Sequence, residues 1–430
     1  MFLRAKKLLT TDLVKVSFLN AVATVIRMLT GFVSVKVVAA VIGPVGVALL
    51  GQLNNLSQIL LSISNGGINA GITKYVSENS NSEKDYVLYL GTGFWITVVL
   101  SAAVGIVLVF GGSYFSANIL HDASYRSVFH VFGGTIVLYA LNALLISVIN
   151  GFKEYKKYVI VNIIGSIVGM VFSVLLSIQF GIYGALISAV TFQSVVFFIT
   201  VAIIFKSHWF KWRLFISKFD KKIALQLGHY SLMAIVSAVT VPASQIIVRN
   251  FITRETSISE AGIWEGMNRI SGMYLLVITT SLGVYFLPRL AELKTRDELR
   301  NEIYSVYKVT IPFLLLTTGL IYLFKQFIIH LLFTSEFFAM RELFAWQLIG
   351  DILKITGWVL GYLLLAKAMT RTYIWMEILN FILFVVLSYP LVNAYGAKGA
   401  TIAFALTYLI YLFVSCVVFR KLLFNPKSAS

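Results

Sequence analysis

Acidic side chains are scarce in this 430-residue chain, 18 against 35 lysines and arginines, and charged residues of both signs reach only 12%. Soluble domains carry about 25%, so a soluble globular protein is excluded at the outset. The single cysteine, Cys416, rules out a disulfide within the chain and any thiolate metal site. The five histidines (His121, His130, His208, His229 and His330) show no ligand spacing. Phosphate-binding glycine loops and nucleophile elbows are missing too. The expectation is a protein that is not an enzyme, has no cofactor and no metal, and draws energy from a gradient or from downhill substrate flow. Its start, MFLRAKKLL, is basic but lacks the short apolar core and small-residue cleavage site of a secretory signal. A cleaved signal is not expected.

What fills the chain instead is apolar sequence, 59% hydrophobic with a mean hydropathy of +0.87. Polar connections divide it into twelve segments near 13–42, 45–75, 86–111, 125–150, 156–179, 182–206, 223–252, 261–289, 304–326, 338–367, 372–393 and 397–420. Each meets the ~20 residues that a transmembrane helix requires. All are too long for strands, and the ten-residue alternation of an outer-membrane barrel is absent. The fold class is an all-α polytopic membrane protein of about twelve transmembrane helices.

The formal charge of +17 is distributed unevenly. The N-terminus, the even-to-odd connections and the C-terminus hold 25 of the 35 basic residues; the opposite connections hold only Arg126, Arg254, Lys325, Arg341 and Lys398. This bias predicts cytoplasmic termini and contact with anionic membrane phospholipids. Nucleic acid is not an expected partner.

The longest basic connection, KSHWFKWRLFISKFDKK from Lys206 to Lys222, divides the chain almost in half. Its aromatic and basic mixture suits an amphipathic segment on the membrane surface. The halves are related. FGIYGALIS from Phe180 meets YGAKGATIA from Tyr395 at an offset of 215, which also pairs Lys156 with Arg371 and Tyr158 with Tyr373. The reading is two six-helix repeats related by an axis along the membrane normal. The predicted organisation is an N-terminal lobe at 1–210, an amphipathic cytoplasmic linker at 211–222 and a C-terminal lobe at 223–430.

Helical spacing of about 100° per residue collects polar residues into stripes. The first segment aligns Asn20, Thr24, Arg27, Gly31 and Ser34. The second aligns Gly51, Asn54, Gln58, Ser62, Asn65, Asn69 and Thr73, and the fourth offers Thr135, Tyr139, Asn142 and Asn150. In the seventh, Pro242 precedes Gln245 and Arg249 and should kink or loosen the helix. The eighth aligns Glu265, Asn268, Arg269, Gly272, Thr279 and Gly283. One such stripe could be helix–helix glue; six at equivalent places in two repeats point to a wet central cavity. Lys36 falls on the face opposite Arg27 and can snorkel to the helix end.

The stretch from Phe337 to Tyr373 holds the most telling pattern. Gln347, Asp351, Lys354, Trp358 and Tyr362 share one stripe, and Gly350, Gly357 and Gly361 lie beside it, where another helix can approach closely. A charge at mid-bilayer costs ~2.5–3.5 kcal/mol and faces a cavity or a partner. Asp351 and Lys354, at i and i+3, could pair with each other, or Asp351 could carry a coupling or gating role.

Gly262-Ile-Trp-Glu-Gly266, Tyr285-Phe-Leu-Pro288 and AMRELFAWQLIGDILKITGWVLGYLLLAKA from Ala339 resemble the multidrug/oligosaccharidyl-lipid/polysaccharide exporter superfamily. Within it the chain looks like a Wzx-type flippase for undecaprenyl-diphosphate-linked oligosaccharides, of the O-antigen or enterobacterial common antigen kind. The resemblance implies a MATE-like V-shaped bundle in the bacterial inner membrane and transport of the repeat unit from the cytoplasmic to the periplasmic leaflet. It further implies the lipid-linked oligosaccharide as substrate, with the pathway's polysaccharide polymerase and chain-length regulator as expected partners. The candidate headgroup residues are Arg27, Asn54, Gln58, Asn65, Tyr139, Asn142, Arg249, Glu265, Arg269 and Lys354, with Asp351 and Pro242 in coupling or gating. Arginine suits phosphate through paired donors. Rivals are a MATE-type antiporter, whose cationic substrates want an acidic cavity, and a peptidoglycan lipid II flippase, expected to have two more helices. A glycosyltransferase or polymerase would need a large periplasmic loop with catalytic groups.

Overall fold

The computed structural model describes residues 12–424, which are helical almost throughout, with no strand among them. Nine continuous helices among the described residues are long and apolar enough to cross a membrane. Two of these hold a break. Asp12–Ser64 changes direction at Gly43 (φ 61°), giving α1 (12–42) and the start of α2 (44–64). Pro44 follows the break at the first helical position, where its missing N–H costs nothing. Tyr155–Ile204 breaks at Gly181 (φ 58°) into α5 (155–180) and α6 (182–204). The others are α3 (Glu83–Phe110), α4 (Arg126–Gly151), α7 (Lys221–Glu255), α9 (Arg296–Leu323), α10 (Phe344–Ala366), α11 (Thr370–Tyr395) and α12 (Ala397–Val418). A twelfth, α8, runs from Ile258 through a π-helical turn at Leu282–Phe286 to Glu292 and carries Glu260, Glu265 and Arg269. Apolar residues also crowd the outside: Phe110, Val309 and Phe413 are 86%, 72% and 68% exposed. Such a surface is stable only against hydrocarbon.

The internal repeat extends to backbone conformation. Gly181 (φ 58°, ψ −135°) and Gly396 (φ 58°, ψ −141°) stand 215 positions apart in the same glycine-favouring region. Three residues later a Cβ on Gly184 would run into the carbonyl of Leu176, and one on Gly399 into that of Leu391. Lys153 (φ 58°) and Ala368 (φ 50°), the same offset apart, end α4 and α10 in matching turns. Their flanking amides bond alike, Glu154 to Ile149 at 3.1 Å and Met369 to Leu364 at 2.8 Å.

Three elements depart from the expected spans. The helix expected from 304 already begins at Arg296, where Thr295 and Glu298 form a capping box. The predicted helix from 338 begins at Phe344, because Ser335–Glu342 winds as a 3-10 turn. The second helix is interrupted at 65–68, where Gly66 (φ 56°) and Gly67 (φ 64°) take left-handed conformations before Asn69–Glu78 resumes. A Cβ on Gly67 would lie 2.8 Å from the carbonyl of Ser231, so only glycine fits. The amide face expected from Gly51 to Thr73 is therefore two short faces, not one stripe. Asn20 lies outside the residues whose side chains are described.

The chain divides into two compact units. One comprises the residues up to Ile42 and Leu49–Pro242; the other comprises Gly43–Ala48 and the chain from Ala243 on. The first is closed by a cluster around Ile72, Leu90, Val148 and Trp209. The aromatic side of the basic connection joins it: Trp209 stacks on Phe152 at 4.8 Å, and Phe215 is 1% exposed. In the second, Phe286, Leu314, Ile355 and Val359 form the core. There the flank of Gly350, Gly357 and Gly361 receives α12, as its small residues predict. A Cβ on Gly350 would collide with Phe404, and one on Gly357 would lie 2.8 Å from Tyr411.

Candidate functional site

The first unit contains a hollow of about 460 Å³ between α1, α4, α5 and α6. The first-segment stripe lines it: Arg27, Gly31 and Ser34 all reach its wall, as the spacing predicts. Across it α5 supplies Asn162 and Ser166, and α6 supplies Gln193. Arg27 Nη2 donates to Asn162 Oδ1 at 3.1 Å. Asn162 is itself oriented by donating to the Tyr158 carbonyl at 2.8 Å. No carboxylate among the described residues forms a salt bridge with Arg27. A guanidinium held by a neutral amide keeps its whole charge for an anion, and its fork matches phosphate.

The remaining candidates of this unit lie elsewhere. Asn54 is half-buried and Gln58 exposed on α2, and Asn65 is buried at the α2 break with Oδ1 unpartnered. Tyr139 is half-buried on α4. Asn142 is 1% exposed and spends both ends of its amide between helices, donating to Gln193 at 2.9 Å and accepting from Thr200 at 2.7 Å. None of these five lines the Arg27 hollow.

In the second unit two arginines share one carboxylate. Glu265 receives a hydrogen bond from Arg249 on one oxygen and from Arg269 Nε at 3.2 Å on the other. Arg249 is 1% exposed and lies 5.5 Å from the Trp264 ring centroid. Breaking such a buried pair leaves an uncompensated charge, which is why the three residues occur together. The glycines of Gly262-Ile-Trp-Glu-Gly266 serve packing: a Cβ on Gly262 would strike the Pro44 carbonyl, and one on Gly266 would lie 2.5 Å from Met340. Pro242 lies within a continuous α7, where the first unit ends.

Asp351 and Lys354 line a second hollow of about 270 Å³, with Gln245, Asn268, Gln347 and Trp358. The ion pair that their spacing allows is not among the salt bridges of the described residues. Asp351, 0% exposed, accepts from Ser271 at 2.7 Å and from Tyr274 at 2.5 Å, both on α8, with Gln347 at 3.4 Å. Lys354 Nζ sits among rings, 4.7 Å from the Trp358 centroid, 5.7 Å from Tyr408 and 5.8 Å from Phe404. Crossing helices deliver hydroxyls to Asp351 first, and aromatic faces then take the ammonium.

A smaller hollow of about 130 Å³ is lined by Trp358, Tyr362, Tyr373, Glu377 and Tyr411. Glu377 occupies the repeat position of Asn162, and Tyr411 that of Val196. Sequence reasoning missed Asn162, Gln193, Ser271 and Tyr274 as site residues. The 215-residue offset was the one signal that could have linked Asn162 to Glu377. For Ser271 and Tyr274 no sequence signal exists, since only the crossing of α8 and α10 brings them to Asp351.

The chain matches the polysaccharide biosynthesis protein family over residues 13–294. Across 409 residues it is 31% identical to the lipid III flippases of Escherichia coli (strain K12) and Shigella flexneri, covering 95% of this chain and 98% of each relative. An inward-facing multidrug resistance MATE family transporter of the MOP superfamily superposes with a TM-score of 0.79 at 12% identity, covering 93% of this chain and 97% of that one. A lipid II flippase in an inward closed conformation gives 0.72 at 14% identity, covering 95% and 87%. These structural likenesses establish a shared all-helical fold.

Proposed function

The chain belongs to the polysaccharide biosynthesis protein family, and from that premise we propose that it flips an undecaprenyl-diphosphate-linked oligosaccharide from the cytoplasmic to the periplasmic leaflet of the bacterial inner membrane. The observation that carries this reading is Arg27, a cation held by a neutral amide in a polar hollow. A diphosphate matches the paired donors of such a guanidinium, while the isoprenoid tail stays in the lipid. Alternating access by the two repeats is the mode of transport. A cationic drug would meet repulsion from Arg27. The common antigen kind of substrate is preferred over O-antigen, since the named relatives are lipid III flippases. The polymerase and chain-length regulator of the same pathway are the proposed receiving partners.

Purified protein in liposomes is expected to move the lipid-linked oligosaccharide between leaflets. Absence of flipping, or glycosyl transfer by the pure protein, overturns the reading. Orientation is tested with single cysteines in a Cys416→Ser background. Those at Lys211 and Arg300 should resist an impermeant thiol reagent added to spheroplasts, and one at Thr256 should react. The reverse pattern inverts the direction of transport.

A further inference from the structure

Trp358 lines both hollows of the second unit. Asp351 and Lys354 stand in one of them and Glu377 in the other. We propose that the smaller hollow, which Trp358 lines and Lys354 does not, is a binding site for a neutral sugar ring of the transported headgroup, with the indole surface on that side as its stacking platform. The inference rests on the flippase reading and extends it to a site within the second unit alone.

The chemistry of the walls selects the occupant. An anion entering the smaller hollow meets the carboxylate of Glu377, while in the larger one Asp351 and Lys354 offset each other. A free cation is excluded differently, because Lys354 Nζ already fills the aromatic cage of Trp358, Phe404 and Tyr408 at 4.7–5.8 Å. What remains is a neutral ligand with an apolar face for the indole and hydroxyls for the rim. The walls of the smaller hollow are Tyr362, Tyr373, Tyr411 and Glu377 beside Trp358, residue types that exchange hydrogen bonds with hydroxyls. A pyranose has these properties: C–H bonds on one face and hydroxyls around its edge.

The test compares two ligands on the full chain in lipid nanodiscs: a short-chain prenyl diphosphate carrying sugars, and the same prenyl diphosphate without them. The wild type is expected to bind the sugar-bearing ligand about tenfold tighter, a margin of ~1.4 kcal/mol. Trp358→Ala should erase that margin and leave the sugar-free ligand unchanged. Trp358→Phe should keep most of it, and Glu377→Gln should reduce it severalfold. A margin intact in Trp358→Ala overturns the inference, as does equal weakening of both ligands, which marks a packing role. Wild type that binds both ligands equally removes the sugar site and leaves the flippase reading standing. Wild type that binds neither removes both.

Discussion

Asp351 and Lys354 stand one turn apart on α10 and turn to different partners, Asp351 to the hydroxyls of Ser271 and Tyr274 and Lys354 to the ring of Trp358. A hydrogen bond to a charged group contributes about 1.5–3 kcal/mol. A double-mutant cycle of Asp351→Asn with Tyr274→Phe should therefore yield a coupling in that range, from denaturation in detergent. The cycle of Asp351→Asn with Lys354→Met should give less. A larger coupling to Lys354 would mean that the ion pair forms in the working protein.

The Glu265 bridge should be the most fragile polar feature of the second unit. Glu265→Gln leaves Arg249 buried without its counter-charge, which costs about 3–5 kcal/mol. Yield and melting temperature should both fall, and Arg249→Met in the same background should restore part of the loss. Arg269→Ala should be milder, because its side chain is 18% exposed and Glu265 retains Arg249.

Asn162→Asp offers a clean test of the Arg27 hollow. It leaves Oδ1 in place 3.1 Å from the guanidinium, turns Nδ2, which donates to the Tyr158 carbonyl at 2.8 Å, into an oxygen, and converts a neutral clamp into an ion pair. Binding of a short-chain prenyl diphosphate should weaken tenfold or more, while melting changes little, because the new ion pair offsets the lost Tyr158 hydrogen bond. Undiminished binding would remove Arg27 as the anion's partner.

The two repeat glycines should both resist substitution. Gly181→Ala and Gly396→Ala each force a side chain into a backbone conformation near φ 58°, at a cost of ~1–3 kcal/mol. Thermal melting should fall in both variants and further in Gly396→Ala, whose Cβ would lie 3.0 Å from Glu260 Oε2 where Gly181 has open space; unchanged melting in either would show that the backbone there relaxes without strain.

The class of the protein, the helical spans and the repeat were legible in the sequence because hydropathy and helical period are local properties. So was the Arg27–Gly31–Ser34 stripe, and so was the glycine flank of α10, which α12 occupies. The break of α2 was written in Gly66 and Gly67 but not readable as such, since adjacent glycines also suit close helix packing. Tertiary structure alone decided the partners. Spacing allowed Asp351 to meet Lys354, and the crossing of α8 put Ser271 and Tyr274 there first. Likewise, burial of Asn142 between α4 and α6 follows from Gln193 and Thr200 arriving from 51 and 58 residues away. A helix's own sequence sets which side chains share a face, and only the packed neighbour determines what that face touches.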